Sequence, residues 1–306
     1  LLHGRRFPAL GTRVVIVVRH GDRKLARDAI QAAARQVWAV HAEMTRFEPS
    51  PLSDVNAHAH RHPVAVSEGL MALLERAREV TVQSGGRFDV TVGRAAAALR
   101  EGAPGVPARP GPVPGALELD RPAGRVSLTH PWASLDLGGV AKGEAVDRAV
   151  AELRRRGLAH FVVNAGGDLY AAGRPSDDVE GWAVRIRDPG PAGGTAHQVT
   201  VTERAVATSG NGGRPPVDGE AGGLHLVDPR TGAPAVELGS ATVLAPTAAQ
   251  ADAWATAAYV AGPAGAPSLV SAQPGLAAVL VSSHGHVVTV GTVVAPASLA
   301  HPGGGR

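Results

Sequence analysis

The sequence predicts an α+β fold, and three observations carry that prediction. Apolar residues recur at helical spacing in several stretches, short β-branched runs separate them, and some of those runs meet at hairpin-type turns rather than across a helix. One strand-turn-helix-strand passage in the middle of the chain adds helix-on-sheet packing. A purely parallel, doubly wound sheet fits the hairpins less well. The 306 residues are 44% apolar, enough for a core that stands without staples. The 39 Gly and 24 Pro make about a fifth of the chain, below the roughly 25–30% of a low-complexity polymer. We expect one domain over residues 1–306, built as a single body or as two interleaved lobes.

Taken in order, residues 14–18 form a β-branched strand before the turn His20-Gly21-Asp22, and Leu25, Ala29, Ile30, Ala33, Val37, Val40 and Met44 mark a long helix over 24–44. Residues 48–63 read as a polar, Pro-containing loop. Ser67 caps a second helix with a stripe of Leu70, Leu73, Leu74, Ala77 and Val80, which Gly85-Gly86 ends. Five prolines within 101–115 forbid regular structure there and predict a surface excursion. Residues 116–119 and 125–129 read as a hairpin around Pro122-Ala123-Gly124. A strand over 133–137, a glycine turn, a helix over 140–156 and a strand over 161–164 follow. Arg154, Arg155 and Arg156 sit where that helix ends, and cations there complement its exposed carbonyls. Further strands are expected over 182–187, 198–202, 205–208 and 240–244, then a helix over 248–260 and apolar runs over 276–281 and 286–294.

Composition excludes several chemistries. Without cysteine there is no disulfide, thiolate zinc site or catalytic thiol. Thirty Lys and Arg against 27 Asp and Glu leave a net charge of only +3, which does not announce nucleic acid. No apolar stretch nears the ~18 residues of a membrane span, and residues 1–10 contain no signal-like apolar core. A cytoplasmic protein is the expectation, with an upstream export segment left open because the chain begins at Leu1.

Four segments gather small, acidic and hydroxyl residues at element ends. Asp136-Leu137-Gly138-Gly139-Val140-Ala141-Lys142-Gly143 leads from a strand into a helix whose N-terminal amides suit an anion. It matches neither the dinucleotide fingerprint nor the Walker pattern, and a plain tight turn explains it too. Asn164-Ala165-Gly166-Gly167-Asp168 suits a pocket floor or a hairpin turn equally. His225-Leu226-Val227-Asp228-Pro229 offers an imidazole ahead of an acid-proline turn, as a general base or as a structural histidine. Asp252 and Thr256, four apart on a helix, share a face one turn apart, a spacing suited to a hard cation such as magnesium; Asp252 at a positive helix end is the plainer alternative. His58, His60 and His62 alternate, but without an acid in the run they read as solvated loop residues.

The order and spacing of these segments resemble the ApbE family of FAD:protein FMN transferases. The resemblance begins at Ala9-Leu10-Gly11-Thr12 and runs through Phe47-Glu48-Pro49-Ser50-Pro51-Leu52-Ser53-Asp54-Val55-Asn56 and Ser84-Gly85-Gly86-Arg87-Phe88-Asp89-Val90-Thr91-Val92-Gly93. It then takes in the four segments above, with Ala207-Thr208-Ser209-Gly210 between the second and third. It implies an ApbE-like, T-fold-related body of mixed, largely antiparallel sheets packed with helices. It also implies Mg²⁺-dependent transfer of the FMN moiety of FAD onto a Ser or Thr hydroxyl of an acceptor flavoprotein, with release of AMP. An FAD pyrophosphatase giving FMN and AMP, or a flavin-binding protein without turnover, are the alternatives.

Carried over position by position, the resemblance puts Leu10, Phe47, Arg87, Phe88, Asp89, Asp136, Lys142 and Leu226 against the cofactor. Gly139, through its carbonyl, Asp252 and Thr256 would hold the metal, and His225 would assist catalysis, with Asp228 a second candidate to accept the proton. The chain departs from the pattern in places. Leu10 stands where Met is usual, a single His225 precedes Asp228-Pro229 where two are common, and Ser209-Gly210-Asn211 lacks the usual aromatic and Arg. Ser50-Pro51-Leu52 lacks an acid, and the loop before Asn56 is one residue short.

Overall fold

An antiparallel hairpin, β1 (Leu2–Ala9) and β2 (Thr12–Arg19), opens the chain in a computed structural model that describes residues 1–101, 115–190, 193–210 and 226–293. Its strand β1 was not foreseen. The helix α1 (Arg23–Met44) follows as expected, because the Asp22 carboxylate accepts from the amides of Lys24 and Leu25 and the predicted stripe is buried.

The expected loop over 48–63 is in part a helix, α2 (Pro51–His58). Ser50 and Ser53 cap it reciprocally, Pro51 occupies its first position, and Leu52 and Val55 give it a buried face. Next come β3 (Val64–Ala65), α3 (Glu68–Gln83) capped by Ser67, and α4 (Gly93–Glu101), another element the sequence did not announce. The expected hairpin is β4 (Leu117–Asp120) and β5 (Arg125–Leu128), which β3 extends to three strands. Most of the proline excursion, residues 102–114, lies outside the described residues.

The passage 133–137 is not a regular strand: it lies beside residues 90–93 through one bridge between Ser134 and Val92, with the Asp136 amide donating to the Val90 carbonyl at 2.7 Å and the Gly93 amide to the Ser134 carbonyl at 2.8 Å. Asn56 holds its other edge, donating to the Leu135 carbonyl at 3.0 Å and accepting from the Leu135 amide at 2.6 Å. After it come α5 (Ala141–Arg155), the hairpin β6 (Phe161–Ala165) and β7 (Asp168–Ala172), and the separate two-stranded β8 (Trp182–Arg187) and β9 (Thr195–Val201). The described chain closes with β10 (Arg204–Gly210), β11 (Ser240–Ala245), α6 (Ala248–Ser271), β12 (Ala277–Val281) and β13 (Val287–Val290). Within α6 the backbone leaves the helical region at Gly262 (φ 69°, ψ 178°), close to the end predicted for that helix.

The main sheet has the order β1-β2-β6-β7-β10-β11-β12-β13, every neighbouring pair antiparallel, so the α+β expectation holds. Its two faces bury different partners. Along β10, β11 and β12 the residues Ala205, Ala207, Ala241, Val243, Ala245, Ala278 and Leu280 face the helices. Val206, Leu244, Val279 and Val281 alternate with them and meet Ile186, Val199 and Val201 of β8 and β9. That double burial explains why β11 and β12 read as continuous apolar runs. Alanines on the helix-facing side let α6 approach the sheet closely, and α5 packs between α1 and α6. No helix among the described residues is long and apolar enough to cross a membrane.

Candidate active site

Helix α5 begins beside α6, and a Cβ on Gly143 would stand 2.3 Å from the Ala248 carbonyl oxygen, so only glycine allows this backbone contact. The approach brings together residues far apart in sequence. Lys142 Nζ lies 2.7 Å from Asp168 Oδ2, 3.2 Å from both oxygens of Asp252 and 3.2 Å from the Gly138 carbonyl. The Gly143 amide donates to Asp252 Oδ2 at 3.2 Å, and the Thr208 amide to Asp168 Oδ1 at 3.3 Å. Both carboxylates are buried, Asp168 at 1% and Asp252 at 2% exposure.

Thr256, one turn beyond Asp252, donates from its hydroxyl to the Asp252 carbonyl at 3.2 Å and lies 3.1 Å from Ser209 Oγ. Gly139 sits against it, since a Cβ there would be 3.0 Å from Thr256 Oγ1 and 3.3 Å from the Phe88 ring. The structure therefore joins four sequence-predicted residues, Gly139, Lys142, Asp252 and Thr256, with Phe88 at their edge. It adds Asp168 and Ser209, which the sequence reading placed in motifs but not among the site residues. Their signal was present in the carboxylate that closes the Asn164–Asp168 turn and the hydroxyl that ends a strand.

The electrostatics are unbalanced. One ammonium faces two buried carboxylates, and Asp168 Oδ2 receives no well-directed hydrogen bond. Burial, and next the charge of Asp168, hold Asp252 well above the ordinary carboxylate range, against the pull of Lys142 and the Gly143 amide. Burial works against the Lys142 charge, but Asp168 and Asp252 more than offset it, and the lysine is held charged. An oxygen-rich donor set with one carboxylate more than it has ammoniums, the second pushed toward its protonated form, fits a hard cation that would replace the proton. Among the described residues no three His, Cys, Asp or Glu side chains converge on a metal position, so hydroxyl and carbonyl oxygens would complete such a site.

The remaining predicted residues are each held by local contacts. Asp136 accepts from the Gly138 amide at 2.7 Å and lies 3.5 Å from Arg46, whose guanidinium stacks 4.6 Å over the Phe47 ring. Phe47 is 81% exposed, an aromatic held at the surface. Leu10 adopts a left-handed conformation (φ 55°) at the turn between β1 and β2, and its amide donates to His41 Nδ1 at 3.2 Å. Arg87 donates to the Ser84 carbonyl at 3.0 Å, while its Nε is buried without a partner. Asp89 is engaged by the Thr91 amide and hydroxyl, each at 2.8 Å, and burial raises its pKa against both.

Asp228 is gripped by Arg230 at 3.0 and 2.7 Å. Burial alone would raise its pKa, but Arg230 and then Arg87 bring it below the usual value. Leu226 accepts from the Ala235 amide at 2.9 Å. His225 lies outside the described residues. His58 pairs with Asp54 at 2.8 Å in α2, and His62 stacks on it at 5.9 Å between ring centres, apart from the site. A separate groove of about 480 Å³ between β1 and α1, lined by His3, Arg5, Arg23 and Arg27 among others, contains none of the predicted site residues.

Known proteins resemble this chain over most of its length. The ApbE family model matches residues 10–280. An FAD:protein FMN transferase of Treponema pallidum is 33% identical over 261 residues, covering 76% of this chain and 71% of that protein. One of Rhodobacter capsulatus is 32% identical over 289 residues, covering 90% of this chain and 54% of that protein, so the chain spans about half the length of that relative. Among solved structures, an ApbE protein of Thermotoga maritima superposes with a TM-score of 0.82 at 26% identity, covering 95% of this chain and 97% of that one. The flavin transferase ApbE of Vibrio cholerae has the same fold, with a TM-score of 0.80 at 24% identity and coverage of 92% and 94%.

Proposed function

The chain belongs to the ApbE family, and from that premise we propose that it transfers the FMN moiety of FAD to a Ser or Thr hydroxyl of an acceptor flavoprotein, with Mg²⁺ and with release of AMP. The acceptor oxygen attacks the FMN phosphorus, the bond from that phosphorus to the AMP oxygen breaks, and AMP leaves. The single observation that carries the reading is the pair of buried carboxylates, Asp168 and Asp252, on the one ammonium of Lys142 beside Thr256. A buried anionic cluster of oxygen donors is what a divalent cation needs, and diphosphate chemistry is mostly charge neutralisation and positioning.

In this reading Asp252, the Thr256 hydroxyl and the Gly139 carbonyl hold the cation. Bound there, Mg²⁺ supplies the charge that neutralises the diphosphate oxygens. Lys142 binds a phosphate oxygen, and Asp168 keeps that ammonium charged and in place. Gly138 and Gly139 leave the backbone open for the approach of the diphosphate. Leu10, Phe47, Arg87, Phe88, Asp89, Asp136 and Leu226 line the flavin and nucleotide. The attacking hydroxyl, with a pKa far above 7, has to lose its proton as it bonds to phosphorus, and His225 accepts it. Asp228, its acidity increased by Arg230, is a weak base and holds the turn that carries Leu226.

The test is incubation with FAD and Mg²⁺, with and without a flavoprotein acceptor bearing a Ser or Thr site, followed by mass spectrometry and nucleotide chromatography. The transferase gives one FMN mass on the acceptor and one AMP. Free FMN with AMP identifies a pyrophosphatase, and unchanged FAD a flavin-binding protein without turnover; either result contradicts the proposal.

A further inference from the structure

We propose that Asp147 is a positioning residue: by gripping the first amides of α6 from α5, it sets where Asp252 and Thr256 stand relative to Lys142 and Gly139. The inference rests on the cation site proposed above and assigns a further residue to it.

Asp147 Oδ1 accepts from the Ala248 amide at 2.7 Å and Oδ2 from the Ala249 amide at 2.9 Å. These are the first two amides of α6. The third, of Gln250, is capped locally by Thr247 Oγ1 at 3.3 Å, and the fourth, of Ala251, donates to the Thr247 carbonyl at 3.0 Å. The Ala251 bond is the first ordinary bond of the helix, so the three amides before it, which have no partner within α6, are all satisfied, two of them by a side chain from another helix. The first turn of α6 has no acidic residue of its own, so the charge that complements its positive end also comes from Asp147. Burial pushes this carboxyl up to about 6, and the two amide donors pull it back toward the charged form.

The consequence for the site is geometric. Asp147 meets 248 and 249, and one turn earlier on α5 Gly143 meets the backbone of the same residues and the Asp252 carboxylate, so the start of α6 is tied at two successive turns of α5. The Gly143 contact with Ala248 removes slack between the backbones, and Asp147 fixes the register along them. From that anchor Asp252 and Thr256 follow at successive turns of one rigid rod, at about 1.5 Å per residue. A slip of a fraction of a turn would carry both away from Lys142 and Gly139. A cap needed only for helix stability could equally have come from a residue of α6 itself; this one comes from the helix that carries Lys142.

The experiment uses the full chain and compares wild type with D147N, whose amide turns a donor toward one of the two N–H groups. Three quantities are read well below the unfolding temperature: the Kd for Mg²⁺ by calorimetry, hydrogen exchange at the Gly143 amide, and the thermal midpoint. We expect the Mg²⁺ Kd to rise about 10–100-fold, the range for residues that orient metal ligands, and Gly143 exchange to rise about tenfold or more. A cap that only stabilises would lower the midpoint and leave the other two unchanged, and that result overturns the inference. If wild type binds no Mg²⁺, the cation site itself fails, and Gly143 exchange still decides whether Asp147 places Asp252. Should D147N not fold, D147E keeps the charge and both acceptor oxygens but adds one methylene; the same two readings apply, and their constancy again overturns the inference.

Discussion

Helix α5 carries two ionic clusters within one turn of each other, and they are built on opposite principles. Toward α6, Lys142 stands alone between Asp168 and Asp252. Away from it, Glu144 binds Arg76 at 2.5 Å and Arg148 at 2.7 Å, and Arg148 reaches Glu43 at 3.1 Å. The second cluster pairs two carboxylates with two guanidiniums and ties α1, α3 and α5 together. The first has a carboxylate too many. A charge-balanced network explains architecture, whereas one with an extra buried carboxylate carries a desolvation cost that a proton or a cation relieves. The surplus therefore marks the cluster with chemistry to do.

The strongest way to break this contrast is Asp252→Ala. Losing the carboxylate that holds the cation should cost on the order of 10³ in FMN transfer at saturating FAD, measured as AMP released per unit time, with the protein still folded. Near wild-type turnover would remove the cluster from the reaction. Next comes Asp168→Asn, which makes the first cluster as balanced as the second. Its amide oxygen can still accept from the Thr208 amide, so the loop remains tied. Mg²⁺ should bind about 10–100-fold more weakly, while the metal-free protein becomes no less stable because a like-charge neighbour of Asp252 has gone. Weaker binding accompanied by a large loss of stability would mean that Asp168 is structural.

The converse variant is Glu144→Gln. In the balanced cluster it should reduce unfolding free energy by ~2 kcal/mol, the scale of hydrogen bonds to charged groups, and leave the Mg²⁺ Kd unchanged; urea titration and calorimetry separate the two effects. The smallest effect belongs to a third group at the exposed end of α5. Hydrogen bonds from Arg155 and Arg156 lower the Glu152 pKa to about 2. A lowered carboxylate stabilises above its unfolded pKa and loses that contribution as pH falls, so Glu152→Gln should cost less than about 1 kcal/mol near neutrality. The difference from wild type should shrink as pH drops from about 4.5 toward about 2. A difference that grew with acid would reverse the assignment.

What the sequence revealed follows from what is local. The cap at Ser67, the stripes of α1 and α3, the glycine turn before α5 and the i, i+4 pair on α6 are all short-range patterns, and each is where the spacing puts it. The strand expected at 133–137 failed because an apolar alternation says nothing of who pairs with it; the partners are a short stretch of backbone at 90–93 and one side chain, Asn56, 79 positions away. The helix α2 was hidden by its polar composition, although Ser50-Pro51 is a start signal. Asp168 and Asp147 were invisible as site residues for a deeper reason. Their roles exist only once α5, α6 and the β6–β7 turn have met, and no periodicity in a single chain records that Lys142 will be short of one positive charge.

The most direct test of the central claim is anomalous scattering from a crystal grown with FAD and Mn²⁺, a cation that accepts the same oxygen donors as Mg²⁺. The account predicts one manganese peak bonded to the Asp252 carboxylate and the Thr256 hydroxyl, with the flavin dinucleotide's diphosphate beside it and Lys142 turned toward a phosphate oxygen. A diphosphate bound elsewhere, or no manganese at that position with Lys142 still bridging Asp168 and Asp252, would contradict it.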